Sequence, residues 1–395
     1  MRPEWDVVWL SDIPWSGLWQ RPQQLATRFP ENARILFVEP WTLGHEGASR
    51  PAVAAPRVRR VSFPFLPLHA RSRAIRRAAY AFGSLPLAGA LFAAQRLGAR
   101  GIVDAAWGGA AHGNGNARGE GARKRLALVQ NFMAEPFLDA LRPDRVVYDM
   151  IDAPLHFAPV PPRLVPRWER LLRRADRVVV TSRGLERLAV AAGSKPPALI
   201  GNGVEAARFD PGHVEPEALP GDPAAPVLGY VGSLHSWLDV PLLEALATGC
   251  PEARVVLVGP AHPETAASLA RAAARAPNLA WIGPVPYDRV PGIVRAFRVG
   301  LIPFRRTPLT EAVNPVKLYE YAAAGVPCVT TRFTDEVEEW AGAARVADSP
   351  EAFVAAARAL LESPPPAGAL LDFARGHDWD AIARRFVAVC LEDAA

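Results

Sequence analysis

The sequence predicts an α/β protein built from two doubly wound parallel sheets, and three observations lead to this fold class. Short apolar runs alternate with helical patterns along most of the chain, an order typical of parallel strands covered by helices. The chain has 395 residues, of which 50% are hydrophobic, so it can fill more than one core. A segment rich in Pro, Gly, Glu and Ala, 210–226, separates two such alternating halves.

Each half is expected to supply one sheet, because parallel strands are joined by right-handed crossovers. In the first half we predict strands at Val7–Ser11, Ile35–Glu39, Leu126–Asn131, Arg145–Ile151, Arg177–Ser182 and Ala198–Asn202, and helices at Gln23–Phe29, Arg163–Arg174 and Leu185–Ala192. In the second half we predict strands at Val227–Val231, Arg254–Val258, Ala280–Ile282, Val299–Phe304 and Val326–Thr331, and helices at Val240–Thr248, Pro263–Arg275, Val290–Ala296 and Val316–Ala324. The domains are therefore placed at 1–209 and 227–377, joined by the linker 210–226.

Cysteine usage and the start of the chain indicate a cytoplasmic protein. Cys250, Cys328 and Cys390 are far apart and form no CxxC pair, which argues against a disulfide framework and against a zinc site. The first residues lack the charged start, apolar core and cleavage site of a signal peptide. The longest weakly polar run, 78–94, is interrupted by Gly and Pro and is too short for a membrane span.

Positive charge is concentrated in one segment of the first half. No acidic residue occurs between Glu46 and Asp104, whereas this interval contains ten arginines. Those at 57–77 are Arg57, Arg59, Arg60, Arg71, Arg73, Arg76 and Arg77. Such a surface could rest on an anionic membrane, so the protein is expected to be peripheral on the inner face of the plasma membrane. The alternative is a solvated basic face. We expect no nucleic-acid partner.

The second half contains a short helix whose two ends are marked in the sequence. Asn314 is a good N-cap, Pro315 suits the first helical position, and Gly325 can take the left-handed conformation that ends a helix. Lys317 lies in the first turn and Glu320 one turn further on the same face. A helix start with a cation and a carboxylate suits a nucleotide, with phosphates at the helix end and ribose hydroxyls on the Glu. The alternative is a connector helix with a solvated Lys–Glu pair.

This stretch, Asn314-Pro-Val-Lys-Leu-Tyr-Glu-Tyr, resembles the nucleotide-sugar site of the GT-B glycosyltransferases of glycosyltransferase family 4, in a branch similar to those of teichuronic acid biosynthesis. The resemblance implies two Rossmann-like domains that face a cleft, with the final helix, 378–395, crossing back to the first domain. It places Glu320 on the donor ribose. The family carries a second Glu eight residues earlier. That position is Ala312 here, and Glu311 is one residue out of register.

The resemblance also implies the rest of the donor site. Gly232 and Ser233 follow a predicted strand where many relatives bind the diphosphate with an Arg and a Lys, which this chain lacks there. The phosphate charge is therefore expected to meet Lys317, Arg305 and Arg306, together with the backbone of Asn314 and Val316. The turn 283–285, which ends at Val285, is expected to offer backbone groups to the nucleobase.

The loop after the first strand is expected to bind the acceptor. In the family a glycine lies close to donor and acceptor here, and Gly17 fits that position; Gln20 and Arg21 resemble the teichuronic-type branch. Trp15 and Trp19 could stack on a sugar ring, or they could simply pack the loop.

Asp152 and His156 follow the strand predicted at Arg145–Ile151. Both are candidates to orient the acceptor hydroxyl or to relay its proton. Asp152 could equally cap a helix. In retaining members of the family the leaving phosphate helps to deprotonate the acceptor, so no protein base is required. The catalytic candidates are therefore Asp152, His156, Lys317 and Glu311.

Two further motifs are interpreted as structural. Asn202-Gly-Val-Glu205 resembles the turn at the family's interdomain hinge, and Asn-Gly is a strong turn signal. Asp378-Trp-Asp380 begins a helix, where Asp is favoured as a cap, so we predict no metal site and no cofactor besides the nucleotide-sugar.

The leading hypothesis is transfer of a sugar from a UDP- or GDP-linked donor to a glycan or lipid-linked acceptor in cell-envelope or exopolysaccharide synthesis, retaining and metal-independent. A nucleotide-sugar epimerase of the same fold and a non-catalytic scaffold are the alternatives. A dinucleotide oxidoreductase is disfavoured because no G-x-G-x-x-G follows the first strand.

Overall fold

The computed structural model describes residues 4–16, 19–40, 52–63, 103, 106, 123–156 and 160–392. The chain divides into two compact units, the first made of Met1–Ile200 and Ala383–Ala395, the second of Gly201–Ile382. The units divide at Ile200, whereas the sequence places the first boundary at 209.

The first unit contains an eight-stranded sheet with the order β3-β4-β2-β1-β5-β6-β7-β8. Its strands are β1 Trp5–Leu10, β2 Ala33–Pro40, β3 Ala52–Ala55, β4 Val58–Phe63, β5 Lys124–Val129, β6 Arg145–Met150, β7 Arg177–Val180 and β8 Ala198–Leu199. All neighbours pair in parallel except β3 and β4 at one edge, which are antiparallel. Because the strand order reverses between β1 and β5, the loops after these strands meet at the carboxyl edge.

The second unit contains a six-stranded sheet with the order β11-β10-β9-β12-β13-β14 and only parallel pairs. Its strands are β9 Val227–Val231, β10 Arg254–Val258, β11 Leu279–Trp281, β12 Val299–Ile302, β13 Cys328–Thr331 and β14 Ala344–Ala347. The order reverses between β9 and β12, so the loops after these two strands define the topological switch point of this sheet.

Helices connect the strands in both units. They are α1 Arg21–Ala26, α2 Leu138–Leu141, α3 Val165–Arg174, α4 Arg183–Ala191, α5 Ala206–Phe209, α6 Val240–Gly249, α7 Pro263–Arg275, α8 Val290–Arg295, α9 Val316–Ala323, α10 Pro350–Glu362, α11 Ala367–Gly376 and α12 Trp379–Leu391. Short 3-10 helices lie at Phe132–Phe137, Pro162–Leu164, Tyr287–Arg289, Thr310–Ala312 and Asp335–Trp340.

The central strands are buried on both faces. Every residue of β1 and of β9 is buried, as expected for parallel strands covered by helices. The prediction of two doubly wound sheets is thereby confirmed. The sequence does not predict β3, β4, β14, α2, α5, α10 or α11. Edge strands such as Ala52–Ala55 are short and half exposed and carry no clear period.

The predicted basic surface falls largely outside the described residues, including Arg71, Arg73, Arg76 and Arg77. Within the described part, Arg59 donates to the backbone oxygen of Ala106, and Arg60 donates to Ser16 Oγ at 3.0 Å. Arg57 is exposed in the turn between β3 and β4. Among the helices that the structure describes, none is long and apolar enough to cross a bilayer.

Candidate functional site

Helix α9 begins at Val316, and the prediction that Asn314 caps it is wrong. The N-cap is Pro315, with φ −79° and ψ 115°, and no side chain caps the helix. The Asn314 side chain accepts hydrogen bonds from Asn202 N at 2.9 Å and from Tyr319 Oη at 3.1 Å instead. The backbone amides of Val316 and Lys317 therefore remain without a protein acceptor in the described part of the chain.

The carboxyl end of α9 is as predicted. Gly325 has φ +69°, in the left-handed region. Its N–H donates to Ala322 O at 3.0 Å, and Val326 N donates to Tyr321 O at 2.9 Å, the two hydrogen bonds of a Schellman motif. Arg295 satisfies the carbonyl of Ala324 at 2.9 Å. The helix is thus held firmly at the end away from its free amides.

Lys317 reaches from α9 to the switch point of the second sheet. Gly232, directly after β9, has φ +141°, and a methyl group there would lie 3.3 Å from Lys317 Cε and 3.4 Å from Nζ. The Lys317 Nζ lies 5.2 Å from the ring centroids of both Tyr230 and Phe304. Phe304 belongs to the loop after β12, so the ammonium group occupies the place where ligands bind in sheets of this order.

The Lys317 ammonium has no hydrogen bond or ion pair with any residue that the structure describes. Burial lowers its pKa from 10.5 to about 8, and the Glu320 carboxylate partly opposes that shift. Aromatic faces stabilise a cation only modestly compared with a carboxylate or phosphate. Among the described residues, the Glu320 carboxylate therefore acts on this cation from a distance, and no carboxylate contacts it directly.

Glu320 is the matching carboxylate one turn further along α9. Its exposure is 9%, and no described side chain or amide donates a hydrogen bond to it. Burial raises its pKa from 4.5 to about 7, with Lys317 and then Arg208 lowering it. A buried carboxylate without donors is costly, because it loses hydration and gains no hydrogen bond in return.

Two residues that the sequence does not single out, Arg208 and Tyr287, lie near the Glu320 carboxylate. Tyr287 lies near Glu320, and the Arg208 guanidinium stacks 4.4 Å from the Tyr287 ring centroid. Burial raises the pKa of Tyr287 well above its usual value, and the Glu320 carboxylate adds to the effect. No spacing signal connects Arg208, Tyr287 and Glu320, because they come from three separate elements.

Two further predicted donor residues lie in loops that follow strands of the second sheet. Ser233 is exposed, and its carbonyl accepts a hydrogen bond from Tyr230 Oη at 2.9 Å, which holds the ring beside Lys317. Val285 is half-buried, in the loop after β11. Its backbone N–H and C=O bond to no other described residue.

The two arginines after β12 differ in their partners. Arg305 is half exposed, and its Nε lies 4.0 Å from Asp239 Oδ1. Arg306 is held by two carboxylates, Glu311 at 2.7 Å and Asp335 at 3.0 Å. Arg306 and Glu311 therefore neutralise each other, which leaves Arg305 and Lys317 as the cations with charge to offer.

In the first unit, the Arg21 side chain is 4% exposed, and this burial does not fit its predicted role in acceptor binding. Its guanidinium forms an ion pair with the fully buried Asp149 at 3.0 Å and lies over the Phe386 ring. Asp149 also accepts from Gln130 at 2.9 Å, and Gln130 accepts from Trp9 Nε1 at 2.9 Å. The expected acceptor contact is instead part of a buried polar network.

The loop around Trp15 is packed from within. Trp15 is 7% exposed, and its ring centroid lies 4.9 Å from that of Phe37. Its backbone N–H donates to the Glu39 carboxylate at 2.6 Å. This favours packing over sugar stacking for Trp15. Trp19 is half-buried against it, and Gln20 is exposed at the start of α1. Gly17 lies outside the described residues.

Asp152 and His156 follow β6 in a short turn. Asp152 is half-buried, and His156 is exposed, with its backbone N–H donating to Ala153 O at 3.0 Å. In the second unit, Asp378 acts as the predicted cap. Its carboxylate accepts from Asp380 N at 2.9 Å and from Ala206 N at 3.2 Å.

Comparison with known proteins supports the assignment of the second unit. The family described as Glycosyl transferases group 1 matches residues 225–363. TuaH of Bacillus subtilis (strain 168), whose name assigns it to teichuronic acid biosynthesis as a glycosyltransferase, is 30% identical over 225 residues. The aligned part is 53% of this chain and 56% of TuaH, so the chain spans just over half the length of the curated relative it matches. The predicted resemblance is thereby confirmed.

Solved structures share the fold at low identity. Sucrose-phosphate synthase from Thermosynechococcus elongatus has a TM-score of 0.68 and 15% identity over 97% of both chains. An E. coli trehalose-6-phosphate protein bound with UDP-2-fluoro glucose has a TM-score of 0.67 and 14% identity over 98% of this chain and 99% of that one. Anabaena HepE in complex with UDP has a TM-score of 0.59 and 14% identity over 97% and 98%. These likenesses confirm the GT-B fold.

Proposed function

We propose, starting from the group 1 glycosyl transferase match of residues 225–363, that this chain transfers a sugar from a UDP- or GDP-linked donor to a carbohydrate or lipid-linked acceptor. The observation that carries the proposal is the pair of charged side chains on α9, the half-buried Lys317 and the buried Glu320, which have no hydrogen bond or ion pair with any described residue. A sugar nucleotide supplies both missing partners, an anionic pyrophosphate and a ribose diol.

The pyrophosphate is proposed to bind at the amino end of α9. The free amides of Val316 and Lys317 offer hydrogen bonds, and the helix dipole favours negative charge there. Lys317 lies beside Gly232, whose lack of a side chain lets phosphate oxygens approach the backbone. Lys317 thereby supplies, from the helix, the cation that relatives place in the loop after β9.

The ribose is proposed to lie on Glu320, with its two hydroxyls donating to the carboxylate. The Tyr287 ring, stacked by Arg208, forms the adjacent wall, and the free backbone groups of Val285 suit the edge of a nucleobase. Backbone recognition at Val285 is compatible with either uracil or guanine.

Transfer breaks the bond between the sugar anomeric carbon and the diphosphate oxygen and forms one to the acceptor hydroxyl oxygen. The charge that develops on the departing diphosphate is stabilised by Lys317, Arg305 and the α9 amides. We propose that these cations and amides perform this task without a metal ion. The diphosphate accepts the hydroxyl proton in the proposed retaining reaction, and Asp152 and His156 orient the acceptor.

The proposed biological setting is polysaccharide synthesis for the cell envelope, supported by the name of TuaH. HepE complexes with UDP and with UDP-glucose, at the same fold, support a UDP-linked donor. We place the reaction in the cytoplasm, where a lipid-linked acceptor would bring the chain to the inner face of the membrane.

Calorimetric titration with UDP and GDP tests the proposal. Lys317→Met and Glu320→Gln are each expected to weaken binding by about 10- to 100-fold, the worth of a charge-assisted hydrogen bond. Lys195→Met and Glu264→Gln, at exposed positions, are the matched controls and should bind like the parent protein. Equal affinity in all five proteins, or no binding of either nucleotide to the parent, would overturn the proposal.

A further inference from the structure

Asn314, directly before α9, joins the helix to a distant segment of the chain. Its Oδ1 accepts from Asn202 N at 2.9 Å and from Tyr319 Oη at 3.1 Å. Its backbone carbonyl accepts from Asn202 Nδ2 at 2.8 Å. Asn314 is 8% exposed, and its bond with Tyr319 is buried, whereas those with Asn202 are partly buried. The start of α9 is thereby fixed to the turn at 202.

Tyr319 makes a second connection from the same helix, between Lys317 and Glu320. It is 3% exposed, and its ring stacks on His377 at 4.8 Å and on Phe373 at 5.9 Å between centroids. His377 Nδ1 is 2.8 Å from Phe373 O, which fixes the imidazole in this stack. Tyr319 therefore links α9 to the segment that precedes α12.

The two segments reached by Asn314 and Tyr319 are bonded to each other. Val204 N donates to His377 O at 3.0 Å, and Trp379 N donates to Val204 O at 3.0 Å. A side chain at Gly203 would collide with His377 O, only 2.6 Å from the position of its Cβ. Segments 202–204 and 377–379 thus form one paired strip.

This strip lies where the chain passes between its units. The chain leaves the first unit at Ile200 and returns to it at Ala383. Both positions at which the chain crosses between its units therefore lie within a few residues of the strip that Asn314 and Tyr319 connect to α9. The helix that carries Lys317 and Glu320 is tied to each of them, by Asn314 in one case and by Tyr319 in the other.

We propose that Asn314 and Tyr319 are positioning residues, which couple nucleotide binding at Lys317 and Glu320 to the paired strip 202–204 and 377–379. Nucleotide bound at α9 thereby stabilises the bonds of this strip, and loss of the strip's bonds displaces the two charged groups. Linkage makes such a coupling reciprocal. The inference rests on the proposed nucleotide site. It goes beyond that site because it assigns a positioning role to Asn314 and Tyr319 and connects nucleotide binding with the segments at which the chain crosses between its units.

Hydrogen exchange with and without saturating UDP tests the coupling. In the parent protein, UDP is expected to slow exchange of the amides of Asn202, Val204 and Trp379 by about tenfold, within the usual range of couplings between sites. Tyr319→Phe keeps the stack on His377 and removes only the hydroxyl, and Asn314→Leu removes the acceptor oxygen. Both should bind UDP less tightly and lose most of the protection in the strip.

Asn314→Asp is the rescue variant, because it retains an oxygen that can accept from Asn202 and from Tyr319. It should restore protection to within about threefold of the parent. Amides in α10, 350–362, are the internal reference and should not respond to UDP. Binding of UDP without protection of the strip, or unchanged protection in Tyr319→Phe and Asn314→Leu, would overturn the inference. Absence of calorimetric UDP binding would instead reject the nucleotide site itself.

Discussion

Lys317 and Glu320 are costly residues in the unliganded protein, and this cost is the clearest sign of function at the scale of single residues. Burial disfavours both charges, which lowers the pKa of Lys317 to about 8 and raises that of Glu320 to about 7. Hydrophobic residues of similar size would remove the cost, so their presence points to a ligand that supplies the missing partners.

Nucleotide affinity is therefore expected to depend on pH with a maximum between about 7 and 8. Binding uses the Glu320 carboxylate and the Lys317 ammonium. Affinity should rise with pH as Glu320 loses its proton near 7, and fall as Lys317 loses its proton near 8. Calorimetric titrations with UDP across this range provide the measurement.

Single substitutions assign the two limbs of this profile. Glu320→Gln should abolish the rise on the acid side, and Lys317→Met should abolish the fall on the alkaline side. A parent profile without a maximum, or one whose limbs survive both substitutions, would show that these groups do not contact the nucleotide.

Sequence reasoning singled out Lys317 and Glu320 as candidates because both lie on one short helix, where spacing fixes their common face. It did not find Arg208 or Tyr287, which approach Glu320 from other elements. It misjudged Asn314, since the choice between capping α9 and accepting from Asn202 is made by tertiary contacts. In the same way, nothing in the sequence indicates that Arg21 pairs with Asp149, which is 128 residues away.

At the scale of elements, α9 illustrates how backbone chemistry places a site. The helix is fixed at its carboxyl end by the Schellman motif at Gly325, and its amino end is left with free amides. The carboxyl end could be predicted from Gly325 and Pro327, because few residues tolerate that conformation. The helix begins at the predicted Val316, but the N-cap is Pro315 rather than Asn314, a difference of one residue that is usual at a helix boundary.

Replacing Gly325 with Ala should destabilise the second unit by about 1–2 kcal/mol. The added methyl group would meet only ordinary neighbours, at 3.5 Å from Ala367 and 3.7 Å from Pro211, so the cost comes from the backbone conformation at φ +69°. Denaturant unfolding measures the change.

Gly368→Ala provides a control of opposite sign. Gly368 lies inside α11 with nothing within 4 Å of the added group, and Ala in a helix is favoured over Gly by roughly 0.5–1 kcal/mol. If both variants shifted stability in the same direction, the conformational explanation for Gly325 would be wrong.

At the scale of the whole molecule, two units of similar architecture carry different polar interiors. The first unit buries the Arg21–Asp149 ion pair, which joins α1, β6 and the final helix α12. The second carries Lys317 and Glu320, which have no hydrogen bond or ion pair with any described residue. The alternation of strands and helices predicted both sheets, but the position of the division at Ile200 depends on contacts that composition does not report.

Arg21→Met should destabilise the first unit by about 3–5 kcal/mol, because Asp149 would remain buried with only the hydrogen bond from Gln130. UDP affinity should be unchanged, since the nucleotide site lies in the second unit. Hydrogen exchange should quicken in β1 and β6 and not in β9. Arg173→Met, which breaks an exposed pair with Glu169 at 3.7 Å, should cost no more than about 1 kcal/mol.

A crystal structure with UDP tests the central claim most directly. We predict that the diphosphate lies within hydrogen-bonding distance of Lys317 Nζ and of the Val316 and Lys317 amides, with the ribose hydroxyls on Glu320. A structure in which UDP occupies another place, while Lys317 stays between Tyr230 and Phe304 without a phosphate, would contradict the account.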